Sequence, residues 1–179
     1  MSDVRWHPAT RADRQALQHF TCCPDTDHPR KDACEQPWAH EVQGYLRQHA
    51  LPWCLRNPPA RDQRLLLLED GPALVGAAVH ALTDEDDPQG VRDRAIVVYA
   101  VALAYQGKEL SDGGRASHAV LDAVVEDAVS RHEEGAFIVL NALVDPSNVS
   151  SSACLRRYGL LPRGRDESGE FILHSGRIS

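Results

Sequence analysis

Concentrated positive charge is missing from this sequence. Its 19 lysine and arginine residues are outnumbered by 26 aspartate and glutamate residues, so that the formal net charge is −7. The densest basic groups are Arg156–Arg157 and the pair Arg163 and Arg165. Because nucleic-acid surfaces need clustered positive charge to displace counterions, the composition argues against a DNA or RNA partner and favours cationic or neutral ligands.

Long apolar runs and an even set of cysteines are missing too. The longest apolar stretch, Ala95–Tyr105, is too short to cross a membrane as a helix and suits a buried strand. The first residues lack the apolar core of a signal peptide, and five cysteines are an odd number. We therefore expect a cytoplasmic protein with reduced thiols and no membrane partner.

A cluster of thiols and one histidine near the N-terminus raises the question of a metal site. Cys22, Cys23, His28 and Cys34 could supply four sulfur and nitrogen ligands to zinc. The spacing Cys-x-x-Cys is absent from the cluster, and adjacent cysteines rarely both reach one metal. We expect no metal here and interpret the segment as a loop with unrelated thiols.

The apolar pattern predicts a mixed sheet flanked by helices. Helices are predicted at Arg11–Phe20, Pro37–Ala50, Ser117–His132 and Ser147–Tyr158. Strands are predicted at Leu65–Glu69, Ala73–Leu82, Ala95–Leu103, Ala136–Val144 and Phe171–His174, and the pattern leaves room for a short one at Val4–His7. A hairpin followed by alternating strands and helices indicates an α/β (α+β) protein, which we expect to be a single domain over residues 1–179.

The segment from Val101 to Ser117 leads from a buried strand through a glycine-bearing loop into a helix. This arrangement suits an anionic group, because backbone N–H donors and the helix dipole face it and glycine allows close approach. Taken alone, the Gly113–Gly114 turn is more often a plain connection than a phosphate site.

Two linked motifs change that assessment. The first is the run Val101-x-Leu103-x-Tyr105-Gln106-Gly107-Lys108. The second, further along the chain, consists of Leu143-Val-Asp-Pro-x-Asn148-x-x-Ser151 and Arg157-Tyr-Gly159-Leu160. In order and spacing they resemble the acetyl-CoA loop entry and the closing helix of the GNAT (Gcn5-related N-acetyltransferase) superfamily, from about Arg64 to Leu161.

This resemblance implies a fold and an activity. The fold would have a mostly antiparallel central sheet with a V-shaped splay between two parallel strands. The activity would be acetyl transfer from acetyl-CoA to a primary amine of a small molecule or protein, by direct attack on the thioester. The resemblance does not identify the amine, and a homodimer is left open.

The resemblance also implies which residues would contact the cofactor, with pantetheine on the strand and pyrophosphate on the loop amides. They are Val101, Ala102, Leu103, Gly113, Gly114, Arg115, Ala116, Ser117, Asn148 and Ser151. Here the family's Gly-x-Ala is matched at Gly114–Ala116, which makes Lys108–Gly113 an insertion. Starting the loop at Gln106 instead would put Glu109 beside the pyrophosphate, where like charges repel.

The catalytic groups are less clearly marked. The position that the family commonly gives to a tyrosine acid is Leu155 in this sequence, and Tyr158 is the nearest replacement on the same helix. Tyr158 could equally pack beneath the closing loop. Glu69 is the first candidate base, with His80 and Tyr99 as alternatives, and water could also accept the proton.

Two other functions stay open. The segments Phe20–Cys22 and Tyr45–Ala50 are similar to the entry region of GNAT toxins that acetylate aminoacyl-tRNA, although the net charge of −7 opposes a tRNA partner. The irregular loop and Leu155 would also suit a catalytically degenerate module that binds CoA as a sensor.

Overall fold

Seven strands form one mixed sheet in the computed structural model of the protein, which describes residues 3–24, 36–56, 61–83, 91–133 and 137–178. The strands are β1 (Val4–Pro8), β2 (Arg64–Asp70), β3 (Ala73–Leu82), β4 (Val91–Val101), β5 (Phe137–Val144), β6 (Leu161–Arg165) and β7 (Ile172–Ile178). Their order is β1-β2-β3-β4-β5-β7-β6, and every neighbouring pair is antiparallel except β4 and β5. The predicted fold class is therefore confirmed.

Helices cover both faces of this sheet. They are α1 (Arg14–Gln18), α2 (Pro37–Tyr45), α3 (Leu51–Arg56), α4 (Ala116–Ser130) and α5 (Val149–Arg157), and a π turn at Leu46–Ala50 joins α2 to α3. Among the described residues no helix is both long and apolar enough to span a bilayer.

The consecutive leucines of β2 follow from this two-sided cover. Leu66 and Leu68 belong to the core shared with α4 and α5, whereas Leu65 and Leu67 belong to the core shared with α1–α3. All four are at most 3% exposed. Because successive side chains of a strand point to opposite faces, an unbroken apolar run marks a strand buried on both sides.

The two parallel strands separate part of the way along their length. Pairing between β4 and β5 runs from Val91 opposite Phe137 to Ile96 opposite Ala142 and then stops. Each strand continues beyond that point, and Val97 on β4 and Leu143 on β5 are 46% and 55% exposed. The V-shaped splay is therefore present, and the strand predicted to be buried is not fully buried beyond Ile96, where the face carrying Val97, Tyr99 and Val101 is partly exposed.

Some element boundaries differ from the prediction. β4 begins at Val91 instead of Ala95 because Arg94 is fully buried in a polar cluster that apolar periodicity does not reveal. Leu103 lies in a 3-10 turn after the strand. β6 was not predicted, because all its residues are exposed and it contains proline and glycine.

Candidate functional site

A cavity of about 780 Å³ lies where β4 and β5 separate, and we call it the splay cavity. Its floor is the end of β4, Tyr99–Val101, followed by the turn that contains Leu103 and Tyr105. The first turn of α4, the start of α5 and α2 form three further walls. The cavity is therefore lined by segments that are far apart in the sequence.

The charged side chains in this lining are cationic. Lys108 and Arg115 line the cavity, and no aspartate or glutamate is among the described residues that do so. The first turn of α4, which includes Ala116 and Ser117, lies beside them, and no described side chain caps that turn. Helix-terminal N–H groups and two cations together favour an anion at this end of the cavity.

The loop between β4 and α4 turns away from the cavity and returns. Glu109 and Arg115 form an isolated bridge at its base. Within it, the Gly113 N–H donates to the carbonyl of Leu110 (2.9 Å). The Gly114 N–H donates to Asp112 Oδ1 (2.8 Å).

This geometry agrees with the alignment that treats Lys108–Gly113 as an insertion. It does not agree with a phosphate on the glycines. The amides of Gly113 and Gly114 are used inside the loop, and neither residue lines the cavity. The Gly114 N–H, which could have donated to a phosphate, donates to Asp112 instead, and the residues that line the cavity are Arg115, Ala116 and Ser117.

Only some of the strand residues predicted to pair with pantetheine line the cavity. Val101 and Leu103 line the cavity, but the N–H of Leu103 donates to the carbonyl of Thr21 (2.7 Å). The N–H of Ala102 donates to Val75 (2.9 Å). The edge of β4 that β5 leaves uncovered is therefore the earlier stretch, residues 97–101.

Asn148 and Ser151 both lie on the cavity wall at the start of α5. Asn148 is the N-cap of this helix, and its Oδ1 accepts the N–H of Ser151 (3.0 Å). The hydroxyl of Tyr99 crosses from β4 and donates to the carbonyl of Ser151 (3.2 Å). Burial raises the pKa of Tyr99, so its hydroxyl stays protonated and suits a proton donor better than a base.

No protein-family description and no curated protein sequence matches this chain. Solved structures do. A putative acetyltransferase of the GNAT family from Desulfovibrio desulfuricans superposes with a TM-score of 0.58 at 14% identity, covering 98% of both chains. The chain has the GNAT fold.

Further acetyltransferase structures superpose equally well. The aminoglycoside acetyltransferase AAC(6')-Ib in complex with ribostamycin and coenzyme A gives a TM-score of 0.61 at 16% identity, covering 97% of this chain and 93% of the other. An Escherichia coli N-acetyltransferase that acts on the alanine of a ribosomal protein gives 0.56 at 15% identity, covering 98% and 94%. The low identities establish the shared fold and no more.

Tyr158 does not reach the splay cavity of this GNAT fold. Its hydroxyl donates to Asp122 Oδ1 (2.6 Å) and lies 2.9 Å from the carbonyl of His118, both on α4. Burial and the neighbouring Asp122 raise its pKa. Tyr158 is therefore held against α4, and Leu155 is fully buried in the core.

Cys154, the neighbour of Leu155, does line the cavity. Its thiol donates a hydrogen bond to the carbonyl of Ser117 (Sγ to O, 3.6 Å), and burial raises the pKa of this thiol. Residues that the sequence did not mark as functional also lie there. They are Trp38, Ala39 and Val42 of α2. From the sequence alone, Trp38 and Val42 could be recognised only as part of the apolar face of a predicted helix.

Glu69 lies on β2, next to the edge strand β1. It is opposite Arg5 in the β1–β2 register, accepts a hydrogen bond from Arg5 Nε (2.9 Å), and has Oε1 3.5 Å from His7 Nε2. It does not line the splay cavity. The structure therefore gives no support to Glu69 as a base, because the added strand β1 engages its carboxylate.

His80, the second candidate base, is fully buried in a polar cluster away from the cavity. Arg94 Nε donates to His80 Nδ1 (3.0 Å), and His80 Nε2 lies 3.0 Å from Asp127 Oδ2. Because Arg94 can only donate, Nδ1 must accept and Nε2–H must donate to Asp127. Arg64 completes the cluster with two bonds of 3.1 Å to the same carboxylate. This arrangement requires a neutral His80.

The cluster makes stability depend on pH. Burial, together with the charge of Arg94, lowers the pKa of His80. The unfolded chain therefore takes up this proton first, near the ordinary histidine pKa of about 6.5. The stabilising contribution is complete above that pH and is lost as the pH falls below it toward the folded-state pKa.

We expect the free energy of unfolding, measured in urea at several pH values, to fall between about pH 6.5 and 5. His80→Asn keeps an acceptor for Arg94 and cannot titrate, so it should flatten part of this slope while lowering stability at pH 7.5. His19→Asn, at an exposed histidine, is the control and should leave the slope unchanged. An unchanged slope in His80→Asn would contradict the assignment.

The cluster considered for zinc is only partly within the described residues, since His28 and Cys34 lie outside them. Cys22 Sγ lies 3.8 Å from the carbonyl of Ala39, and Cys23 Sγ lies 3.4 Å from His40 Nδ1. Burial raises the pKa of Cys22 to about 12, which keeps its thiol protonated. These contacts hold the segment against α2.

Proposed function

We propose that the protein is an N-acetyltransferase, folded as one domain over residues 1–179, that transfers the acetyl group of acetyl-CoA to a primary amine by direct attack. One observation carries this proposal: the cationic end of the splay cavity lies beside the uncapped start of α4 and the uncovered edge of β4. The similar fold of an acetyltransferase described in complex with coenzyme A supports it.

The residues present fit such a co-substrate. Lys108 and Arg115, with the amides of Ala116 and Ser117, would hold its phosphates, since charge-assisted bonds and helix termini both favour them. The edge of β4 at residues 97–101 would face the pantetheine arm, and Asn148 and Ser151 would line its path. The co-substrate supplies an acyl thioester.

The remaining steps fall to side chains of this chain. Tyr99 and Cys154 lie on the cavity wall, and burial raises the pKa of both, so each carries a proton at neutral pH. Either can donate it to a leaving thiolate, and Tyr99 is the better placed because its hydroxyl already spans from β4 to α5. Tyr158 and Glu69 have no part in this proposal.

The test has two stages. Acetyl-CoA at about one hundred times its Kd should stabilise the protein by about 2.7 kcal/mol, seen as a raised Tm. Release of free thiol in the presence of amines should then report turnover. No shift with acetyl-CoA would contradict the whole proposal, and a shift without thiol release from any amine would favour a CoA-binding module.

The second candidate function, a module that binds CoA without catalysis, has one observation in its favour. The position of the family's usual tyrosine is the buried Leu155, and the hydroxyl of Tyr158 is engaged by Asp122. A sensor would need the cationic end of the cavity but no proton donor. The variant Tyr99→Phe separates the two, because an enzyme should lose turnover with little change in the Tm shift by acetyl-CoA.

A further inference from the structure

We propose that Gln106 is a positioning residue for the pantetheine arm of acetyl-CoA, acting through the carbonyl of Val101 and through a short segment that follows α1. This inference deepens the proposed function and rests on it. The segment comprises residues 20–23, and we call it the strap. Two of its residues, Cys22 and Cys23, line the splay cavity, as do Val101 and Gln106.

The strap is held at the cavity by hydrogen bonds to α2 and to the π turn that follows it. It belongs to no helix or strand, so its backbone groups need partners elsewhere in the chain. The N–H groups of Cys22 and Cys23 both donate to Gln43 Oε1 of α2 (2.8 and 3.1 Å). Arg47 Nε donates to the carbonyl of Phe20 (2.7 Å). Because Gln43 is 4% exposed, these bonds are buried ones.

Gln106 connects the strap to the end of β4. Its Nε2 donates to the carbonyl of Cys22 (2.6 Å) and to the carbonyl of Val101 (3.1 Å). Both neighbours are acceptors, so the amide nitrogen with its two N–H groups must face them. The backbone N–H of Leu103 adds a bond to the carbonyl of Thr21 (2.7 Å). The strap therefore lies at a fixed spacing from the end of β4, and the Gln106 side chain helps to set it.

This spacing matters for the co-substrate because its arm would lie along the same part of β4. The uncovered edge at residues 97–101 ends at the carbonyl that Gln106 holds. A flexible arm loses conformational freedom on binding, and walls that are already in place spare the protein a further ordering cost. Loss of Gln106 should therefore weaken binding of the arm and leave the phosphates, assigned to Lys108 and Arg115, unaffected.

Two ligands separate the arm from the phosphates. Acetyl-CoA has both, whereas adenosine 3′-phosphate 5′-diphosphate is the nucleotide part without the arm. Gln106→Met keeps the length of the side chain and removes both N–H donors. Because two hydrogen bonds are lost, this variant should bind acetyl-CoA about 10-fold more weakly and bind the nucleotide within about 2-fold of the unaltered protein. Titration calorimetry measures both Kd values, the second by displacement of acetyl-CoA if the nucleotide binds weakly.

Two further variants serve as controls. Arg115→Ala should weaken both ligands, because it acts on the phosphates that they share. Gln48→Met makes the same change at an exposed glutamine of the π turn, which does not line the splay cavity. It should leave both Kd values unchanged. A residue that merely stabilised the fold would not produce a loss confined to the ligand with the arm.

The strap can also be followed without a ligand. Cys22 and Cys23 are 7% and 3% exposed, so their thiols should react with N-ethylmaleimide mainly when the strap opens. Gln106→Met should raise their labelling rate by about 10-fold, measured by mass spectrometry on the peptide that contains both. Cys154 of α5, whose thiol donates to the carbonyl of Ser117, is the internal control and should label at an unchanged rate.

Several results would overturn the inference and leave the proposed function standing. Equal weakening of acetyl-CoA and the nucleotide in Gln106→Met would do so, as would an unchanged Kd for acetyl-CoA. Unchanged labelling of the two strap thiols would do so as well. A nucleotide that failed to displace acetyl-CoA from the unaltered protein would contradict the phosphate site on which the inference depends. If acetyl-CoA did not bind the unaltered protein, the proposed function itself would be contradicted.

Discussion

Replacing Asp127 with alanine is expected to lower the free energy of unfolding by about 3–5 kcal/mol, because it removes one partner from a buried set of charges. Asp127 is 3% exposed and accepts hydrogen bonds from His80 and Arg64. Burial works to raise the pKa of Asp127, but the bonds and charge of these partners outweigh it and bring the pKa to about 2. Without the carboxylate, His80 Nε2–H and the Arg64 guanidinium would lose their acceptor.

Urea denaturation at pH 7.5 would measure this loss. Glu69→Ala is the matched control, since Glu69 also pairs with an arginine, but Arg5 is 72% exposed. Exposed pairs contribute about 1 kcal/mol or less, so the control should be mildly affected. If the two variants lost the same amount, the buried cluster would not be the stabilising element that the structure indicates.

Asp127 also makes the free energy of unfolding depend on pH, in a more acidic range than His80 does. Its folded-state pKa lies below the ordinary aspartate value of about 3.9. Its contribution is therefore complete above that pH and is lost as the pH falls from about 4 toward 2. That window lies below the one in which His80 acts, so a pH series resolves the two groups.

Arg115→Ala and Lys108→Ala should each weaken acetyl-CoA binding by about 10-fold or more, because a hydrogen bond to a charged group contributes about 1.5–3 kcal/mol. Both side chains line the cationic end of the splay cavity beside the first turn of α4. Titration calorimetry would give the Kd of each variant. Added salt should weaken binding to the unaltered protein more than to the variants, since the lost interaction is ionic.

Arg163→Ala is the matched control, because Arg163 is an exposed arginine on β6 that does not line the cavity. Its Kd should equal that of the unaltered protein. A loss of affinity as large in Arg163→Ala as in Arg115→Ala would mean that net charge, and not the position of Arg115, governs binding. An unchanged Kd in both cavity variants would move the phosphate site away from α4.

The elements around the splay could be predicted because their signals are local. Apolar periodicity located β2–β5 and α4, and Asn148 is the N-cap of α5. β6 carried no such signal, because an exposed edge strand with proline and glycine lacks alternation. The start of β4 was missed because Arg94 is buried through bonds to Asp62 and His80, residues that lie elsewhere in the sequence.

The residues of the candidate site could also be predicted only in part. Val101, Leu103, Asn148 and Ser151 lie at the cavity as the motifs indicate. Tyr158 and Glu69 were plausible by residue type and are engaged elsewhere, since each found a partner on a distant element. A hydrogen bond between distant segments produces no periodic pattern in the sequence of either segment.

The sequence by itself determined most of the architecture: that β2–β5 and α4 form, and that a strand, a loop and a helix start follow one another in an order suited to an anion. Only the tertiary structure decided which groups face the resulting cavity. It turned Gly113 and Gly114 into the loop, brought Trp38 across to Ser147, and left Lys108 and Arg115 without a carboxylate in the described lining. The physical reason is that periodicity reports burial along one segment, whereas a site is made by side chains that meet only after folding.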